Sequence, residues 1–310
     1  MQIKKTVTIV LVLLLVMNFN ALHLHAENSK ENESVSEGTI EIIDPLTKNV
    51  VKTFTPTDYQ IATNIVQYKK ELEQWAHQFT HGSENSSGYT KPMILDRIDN
   101  KGKIIKGRPI ITVNESKLVD EILQHSFSGG KIELPLIYIH SNYSERDIPY
   151  LKEVAIASFT TYFKAHKTGR SKNIELSTKA INNVIVGNND IFSFNSVVGP
   201  RDVAAGYQMA PEIIHGKMVM GIGGGICQTS STLFNAVDQL NIKIIERHKH
   251  SKDVGYVREG RDATVSFGGL DFKFQNSLGI PILVRTYYQK GAVTVQITTS
   301  REYYNFLRNQ

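Results

Sequence analysis

Residues 221–237 read GIGGGICQTSSTLFNAV, and the residues just after the glycines decide whether the chain folds around a nucleotide. A phosphate-binding P-loop carries a lysine and then Ser or Thr after its last glycine, but Ile226 and Cys227 stand there. A dinucleotide fingerprint spaces its glycines differently and sits between parallel strands, whereas the segments around this one read as antiparallel. From Thr229 onward Leu233, Val237 and Leu240, joined by Ala236, recur at helical spacing, with Thr229 or Ser230 as the cap. The stretch predicts a glycine corner that delivers Cys227 to the start of a helix.

That position has chemical meaning. At a helix N-terminus the unpaired amides and the positive end of the dipole stabilise negative charge on sulfur. Glycines let the backbone approach a substrate and aim several N–H groups at one atom, the construction of an oxyanion hole. A thiolate nucleophile needs a base, and IIERHKHS at 244–251 supplies two imidazoles. Read as a strand, it puts Glu246, His248 and His250 on one face and Arg247 and Lys249 on the other. Either histidine can take the thiol proton, and Asp262 or Glu246 can orient it. Plainer readings stand beside these: His248 as a surface strand histidine, and Arg261 as a structural salt bridge rather than a clamp on a substrate carboxylate. Cys227, His248 and His250 can also be drawn as zinc ligands, but a structural site wants a fourth ligand and the chain has one cysteine. No metal and no cofactor is expected.

The compartment decides what a single cysteine means. Lys4 and Lys5 precede the apolar run TVTIVLVLLLVM at 6–17, and Ala26 closes LHLHA at 22–26, the pattern of an export signal over residues 1–26. The run falls short of the ~20 apolar residues that span a bilayer, so membrane attachment is expected only if the signal stays uncleaved. With no cysteine near the cleavage site, a lipoprotein anchor is excluded. A secreted or wall-associated chain with one cysteine has no internal disulfide, and its thiol is either reactive or a small buried hydrophobe. Hydrophobic residues make up 41% of the 310, enough for a globular core. The net charge of +5 falls to +3 when Lys4 and Lys5 leave with the signal, which suits an anionic envelope and gives no reason to expect nucleic acid. Nothing in the sequence speaks to oligomeric state.

Around the corner the chain reads as α+β. Residues 27–39 are a polar, charged tether. TIEII at 39–43 and VVKTF at 50–54 flank a turn and predict a strand pair. A helix capped by Thr57 carries Ile61, Ile65, Tyr68, Leu72, Trp75 and Phe79 as a packing stripe, on which Trp75 reads as core before ligand platform. HGSENSSG at 81–88 reads as a flexible loop, MILDRI at 93–98 and PIITV at 109–113 as strands, and 115–128 as a second helix. KIELPLIYI at 131–139 alternates as one strand, and HSNYSERD at 140–147 reads as the border between a 40–146 module and a 147–300 domain. In that domain VAIASFTTYF reads as a strand, KAHKTGRSKN as a basic loop, LSTKAINNV as a helix, and DATVSF, DFKFQN, IPILVRTYY and AVTVQITT as strands of a half-buried sheet. Residues 301–310 read as a tail.

FSFNSVVGPR at 192–201, AAGYQMAPEII at 204–214, the glycine-cysteine stretch, IIERHKHS and GYVREGRDATV at 255–265, in this order, resemble the VanW domain, found beside glycopeptide-resistance genes and in many Gram-positive exported proteins. The likeness spans about 154–299; residues 57–140 more weakly resemble the peptidoglycan-binding domain that often precedes it. Phe234 stands where tyrosine is common and Lys249 where proline is common. The resemblance implies cell-wall biology, with peptidoglycan stem peptides as partners. Some VanW domains are regarded as cysteine L,D-transpeptidases, which implies Cys227 as nucleophile and His250, then His248, as base, with Asp262 behind it. It also implies that the backbone of Gly223, Gly224, Gly225, Ile226 and Gln228 surrounds the oxyanion while Arg261 grips acidic groups of the peptide. Many members have no assigned activity, which keeps a non-catalytic wall-binding or glycopeptide-resistance accessory role as the alternative.

Overall fold

The structure, a computed structural model, describes residues 38–55, 64–84, 86–214 and 217–309. The expected export signal, residues 27–37 of the tether, and the Thr57 cap and Ile61 of the first helix lie outside the described residues. In chain order the helices are α1 Ile65–His81, α2 Glu115–His125, α3 Thr168–Ile181, α4 Phe194–Val198, α5 Ile226–Val237 and α6 Arg301–Arg308, interleaved with many strands in an α+β fold. Among the described residues no helix is long and apolar enough to cross a membrane.

The chain forms two compact units: one from the residues up to Phe79 with Asn114–Pro135, the other from Thr80–Val113 and Leu136 onward. In the first, Ile40–Ile43 pairs antiparallel with Val50–Phe54 and parallel with Gly130–Glu133. Tyr68 and Leu72 of α1 and Leu118, Val119 and Ile122 of α2 are buried as their spacing predicts, Ala76 is buried beside them, and Ile65, read with the α1 stripe, is instead exposed. The Asn114 side chain caps α2 by accepting from the Lys117 amide. Trp75 meets the Phe54 ring edge-on at 4.7 Å and stacks on Phe79, so it is packing.

KIELPLIYI is not one strand. Its first part ends at Glu133, and Leu136–Ile139 pairs with Ile110–Val113 in the second unit. Pro135, which has no N–H to give a ladder, sits at the break. The border between the units therefore falls at Pro135 rather than in HSNYSERD, and residues 80–113, read with the first module, count with the second unit. Within HGSENSSG, Gly82–Ser83 pairs antiparallel with Ser86–Ser87, so these residues are not a free loop, and Gly82 takes φ +87°.

The second unit is built on a six-stranded sheet in the order Val154–Tyr162, Ala292–Thr299, Ile282–Gln289, Val184–Val186, Arg97–Ile98, Ile104–Ile105. Val293, Val295 and Ile297 alternate inward and are fully buried, with Phe192, Phe194, Phe272 and Phe274 also in the core. Residues 301–310 are not a loose tail but contain α6, capped by the Ser300 hydroxyl and tied down where the Tyr303 hydroxyl donates to Asp147 at 2.6 Å. A hairpin of Met209–Ile214 and Lys217–Ile222 runs into the glycine corner. DATVSF makes only a single bridge, Thr264 to His248, and IIERHKHS is strand only over Lys243–Glu246.

α3 begins eight residues before LSTKAINNV and takes in part of the expected basic loop. Its buried residues are largely polar, Ser171, Asn173, Ser177 and Thr178 among them. A helix that buries polar groups shows no apolar period, but here the groups find partners. Asn173 is fully buried, its amide donating to the carbonyls of Gln208 and Gly224 and its oxygen accepting from the Gln208 N–H. Ser177 meets Thr229 of α5 at 2.7 Å.

Candidate active site

α5 starts from Gly225 at φ +112°, a backbone value that L side chains rarely adopt. A Cβ on Gly224 would stand 2.5 Å from the Ala210 carbonyl. Only glycine fits both demands, a left-handed turn and backbone against backbone. The helix behind the corner is polar yet buried: Gln228, Thr229, Ser230, Ser231 and Thr232 are fully covered. Ser230 donates to the Ala263 carbonyl, Ser231 accepts from the Ala263 amide, and Gln228 donates to Thr161 and Tyr162. These bonds fix the helix's rotation and with it the direction of Cys227.

Cys227 is half-buried in the first turn, its thiol 3.5 Å from the Val265 carbonyl. His250 stands beside it. Its Nδ1 lies 2.7 Å from Asp262 Oδ2, which also accepts the His250 backbone N–H at 2.6 Å, and both side chains are only 7% exposed. With Nδ1 held by the carboxylate, Nε2 is the ring nitrogen left for the sulfur. Burial works against charge on this imidazole, but its hydrogen bond to Cys227, the sulfur's charge and the Asp262 carboxylate outweigh that and raise its pKa. Burial likewise opposes the Asp262 charge, and the His250 amide and ring reverse it, holding that carboxyl below its ordinary range.

The other anticipated residues go elsewhere. His248 Nε2 meets Glu246 Oε1 at 3.0 Å, in a cluster where Glu246 also pairs with Lys273 and accepts the Asp271 amide. The strand ends at Glu246, so the two imidazoles do not share a face and each is held by its own carboxylate. Arg261 donates through Nε to Asn235, pairs with Asp238 at 2.7 Å and lies over Phe234, a set of structural contacts along α5. Gln228 turns its oxygen to Arg170. Of the corner amides, Gly223 donates to Gln208, Ile226 to Gly223 and Gln228 to Gly225, whereas among the described residues those of Gly224, Gly225 and Cys227 have no backbone acceptor.

Three residues missed in the sequence complete the site. Arg170 of α3 and Arg201, in the GPR that follows α4, both feel the Cys227 charge. Tyr256 lies under the Arg170 guanidinium, and burial, with the Cys227 charge, pushes its hydroxyl pKa well up despite a hydrogen bond to Ser231. Arg170 was hidden in a segment without helical period, and Arg201 and Tyr256 carry no spacing that ties them to the cysteine. A cavity of about 220 Å³ is lined by His250 and Asp262 with Lys249, Arg258 and Glu259, and not by Cys227.

The raised His250 value has a measurable consequence. The folded chain keeps a proton that the unfolded chain releases, so this group's stabilisation is complete below about pH 6.5 and fades as pH climbs through the folded value. An NMR titration of His250 is expected to give a midpoint above the ordinary imidazole value and a lower one in Cys227→Ala, where the sulfur's share is gone. Equal midpoints in the two proteins would exclude the contact.

Residues 169–298 match a family model described as VanW like protein. The chain is 40% identical over 205 residues, 66% of its length and 68% of the relative's, to the uncharacterized protein YoaR of Bacillus subtilis (strain 168). It is 28% identical over 145 residues, 43% of this chain and 51% of the relative, to the vancomycin B-type resistance protein VanW of Enterococcus faecalis (strain ATCC 700802 / V583). No solved structure matches. The family match encloses Arg170, Arg201, Cys227, His250, Tyr256 and Asp262 together, and the chain belongs to the VanW-like family.

Proposed function

We propose that the chain is an exported cell-wall protein in which Cys227 performs acyl transfer on peptidoglycan stem peptides, in the manner of an L,D-transpeptidase. The observation that carries this is the series Asp262–His250–Cys227 at a helix start where the Gly224, Gly225 and Cys227 amides have no backbone acceptor. His250 Nε2 takes the thiol proton as sulfur attacks the carbonyl carbon of the third stem residue. The tetrahedral oxyanion takes the amide of Cys227 and those of Gly224 and Gly225 as donors. The C–N bond to the terminal D-alanine breaks, and His250 returns the proton to the leaving amine. The thioester is then opened by the side-chain amine of a second stem, whose proton passes to His250 as the thiolate departs. Water in that last step gives a peptidase instead. The relative named for vancomycin resistance supports a setting at the wall.

The test is incubation of the purified chain with tetrapeptide muropeptides, followed by mass spectrometry. Free D-alanine with crosslinked dimers is expected; intact substrate beside well-folded protein removes the reaction. A second reading, a non-catalytic wall-binding protein, draws on the packing of Cys227 against the main core. It predicts retention on wall sacculi without any product.

A further inference from the structure

Arg170 and Arg201 both lie against the glycine corner, Arg170 at Gly225 and Arg201 at Gly223. A Cβ on Gly225 would lie 2.9 Å from Arg170 Cγ, and one on Gly223 would lie 3.5 Å from Arg201 Cβ. The missing side chains leave room for both arginines against the corner, within electrostatic reach of Cys227. Arg170 is fixed by one bond from Nη2 to Gln228 Oε1 at 2.9 Å and by the Tyr256 ring, and Arg201 by one bond from Nη2 to Asn195 Oδ1 at 2.7 Å and by the Phe194 and Phe267 rings. All of these partners are neutral. Among the described residues neither guanidinium forms an ion pair, and Arg201 Nε is buried with no hydrogen-bond partner. Asp271 adds to the field at Arg201, but its oxygens are taken by Ser193 and by the amides of Asn195 and Phe272.

Two largely buried cations with no ion pair of their own are costly, since burial works against both charges. Planar guanidiniums with free N–H groups match a carboxylate best. We propose that Arg170 and Arg201 form a receptor for a free carboxylate three bonds from the carbonyl that Cys227 attacks, so that the site takes peptides ending one residue beyond the bond it breaks. The three bonds are C–N, N–Cα and Cα–C of a terminal residue, which carries its α-carboxylate there and nowhere else. An internal peptide bond, or an amidated end, brings no negative charge and leaves the arginines desolvated and unpaired. Arg261, read from sequence as the clamp, is already paired with Asp238.

This inference rests on the acyl-transfer reading, and its test separates the two. The purified chain is given a stem tetrapeptide with a free C-terminal carboxylate and the same peptide as its C-terminal amide. The acid is expected to react about 10- to 100-fold faster in kcat/KM, the range of one or two charge-assisted hydrogen bonds. In Arg170→Gln and Arg201→Gln that ratio is expected to fall toward one, whereas simple damage to the fold lowers both rates and keeps the ratio. Equal turnover of acid and amide by the unmodified chain overturns the receptor and leaves the reaction standing. If neither peptide reacts, calorimetry on Cys227→Ala decides: tighter binding of the acid, lost with either arginine, keeps the receptor without the chemistry, and equal or absent binding overturns it.

Discussion

Cys227→Ala is expected to stop D-alanine release from tetrapeptide muropeptides, lowering the rate by on the order of 10³-fold or more, because no second nucleophile can form the thioester. The fold should barely notice. The residue is half-buried, and its hydrogen bond to the Val265 carbonyl is a weak contact, so a loss under about 1 kcal/mol is expected on unfolding. His250→Ala is expected to fall to a similar rate, and the double variant no further, since the two act on one step. A Cys227→Ala protein that still releases D-alanine at the parent rate ends the covalent mechanism, whatever the histidine does.

Asn173→Ala carries the largest expected loss of stability. Its side chain closes three bonds to backbone, two carbonyls and one N–H, from a fully buried position. Alanine satisfies none of them. At about 1 kcal/mol or slightly more for each group left unpaired, the cost is about 3 kcal/mol, read as a lower urea midpoint with an unchanged slope. Because one of the freed carbonyls is that of Gly224, the corner should loosen too, and kcat should drop beyond what the lost stability explains. A change under about 1 kcal/mol would mean that water replaces the amide at no cost.

The parts of this fold that were legible in the sequence are those whose burial follows a period. The pairing of Ile282–Gln289 with Ala292–Thr299, the first strand pair and the burial of Tyr68 and Leu72 on α1 come from alternation and helical spacing, whereas α5 starts at Ile226, three residues before the Thr229 read as its cap, and has no side-chain cap. α3 was read only from Leu176 on, because its face is of a different kind. α3 buries serine, asparagine and threonine, as α5 does with glutamine added, and such faces are invisible to any scale that looks for apolar periods. Of the residues singled out in the sequence, the structure brings Cys227, His250 and Asp262 together, and each stood out there by its chemistry. His248 and Arg261 misled because a strand assumed to run through residue 250 ends at Glu246, and because Asp238 and Asn235 reach Arg261 first. Arg170 and Arg201 lie 57 and 26 residues before the cysteine, and only the fold brings them to it.

The path of the chain bears on how the protein can be cut. It passes between its two compact units at Phe79, at Val113 and again at Pro135. A gene fragment opening at residue 147, the natural choice from sequence, therefore lacks Arg97–Ile98 and Ile104–Ile105. It leaves Val184–Val186 as a bare strand at the rim of the sheet, an invitation to stick to the next copy. A shortened version that keeps 80–113 and replaces 114–135 with a short polar bridge spares that rim and should stay in solution where the simpler truncation clumps.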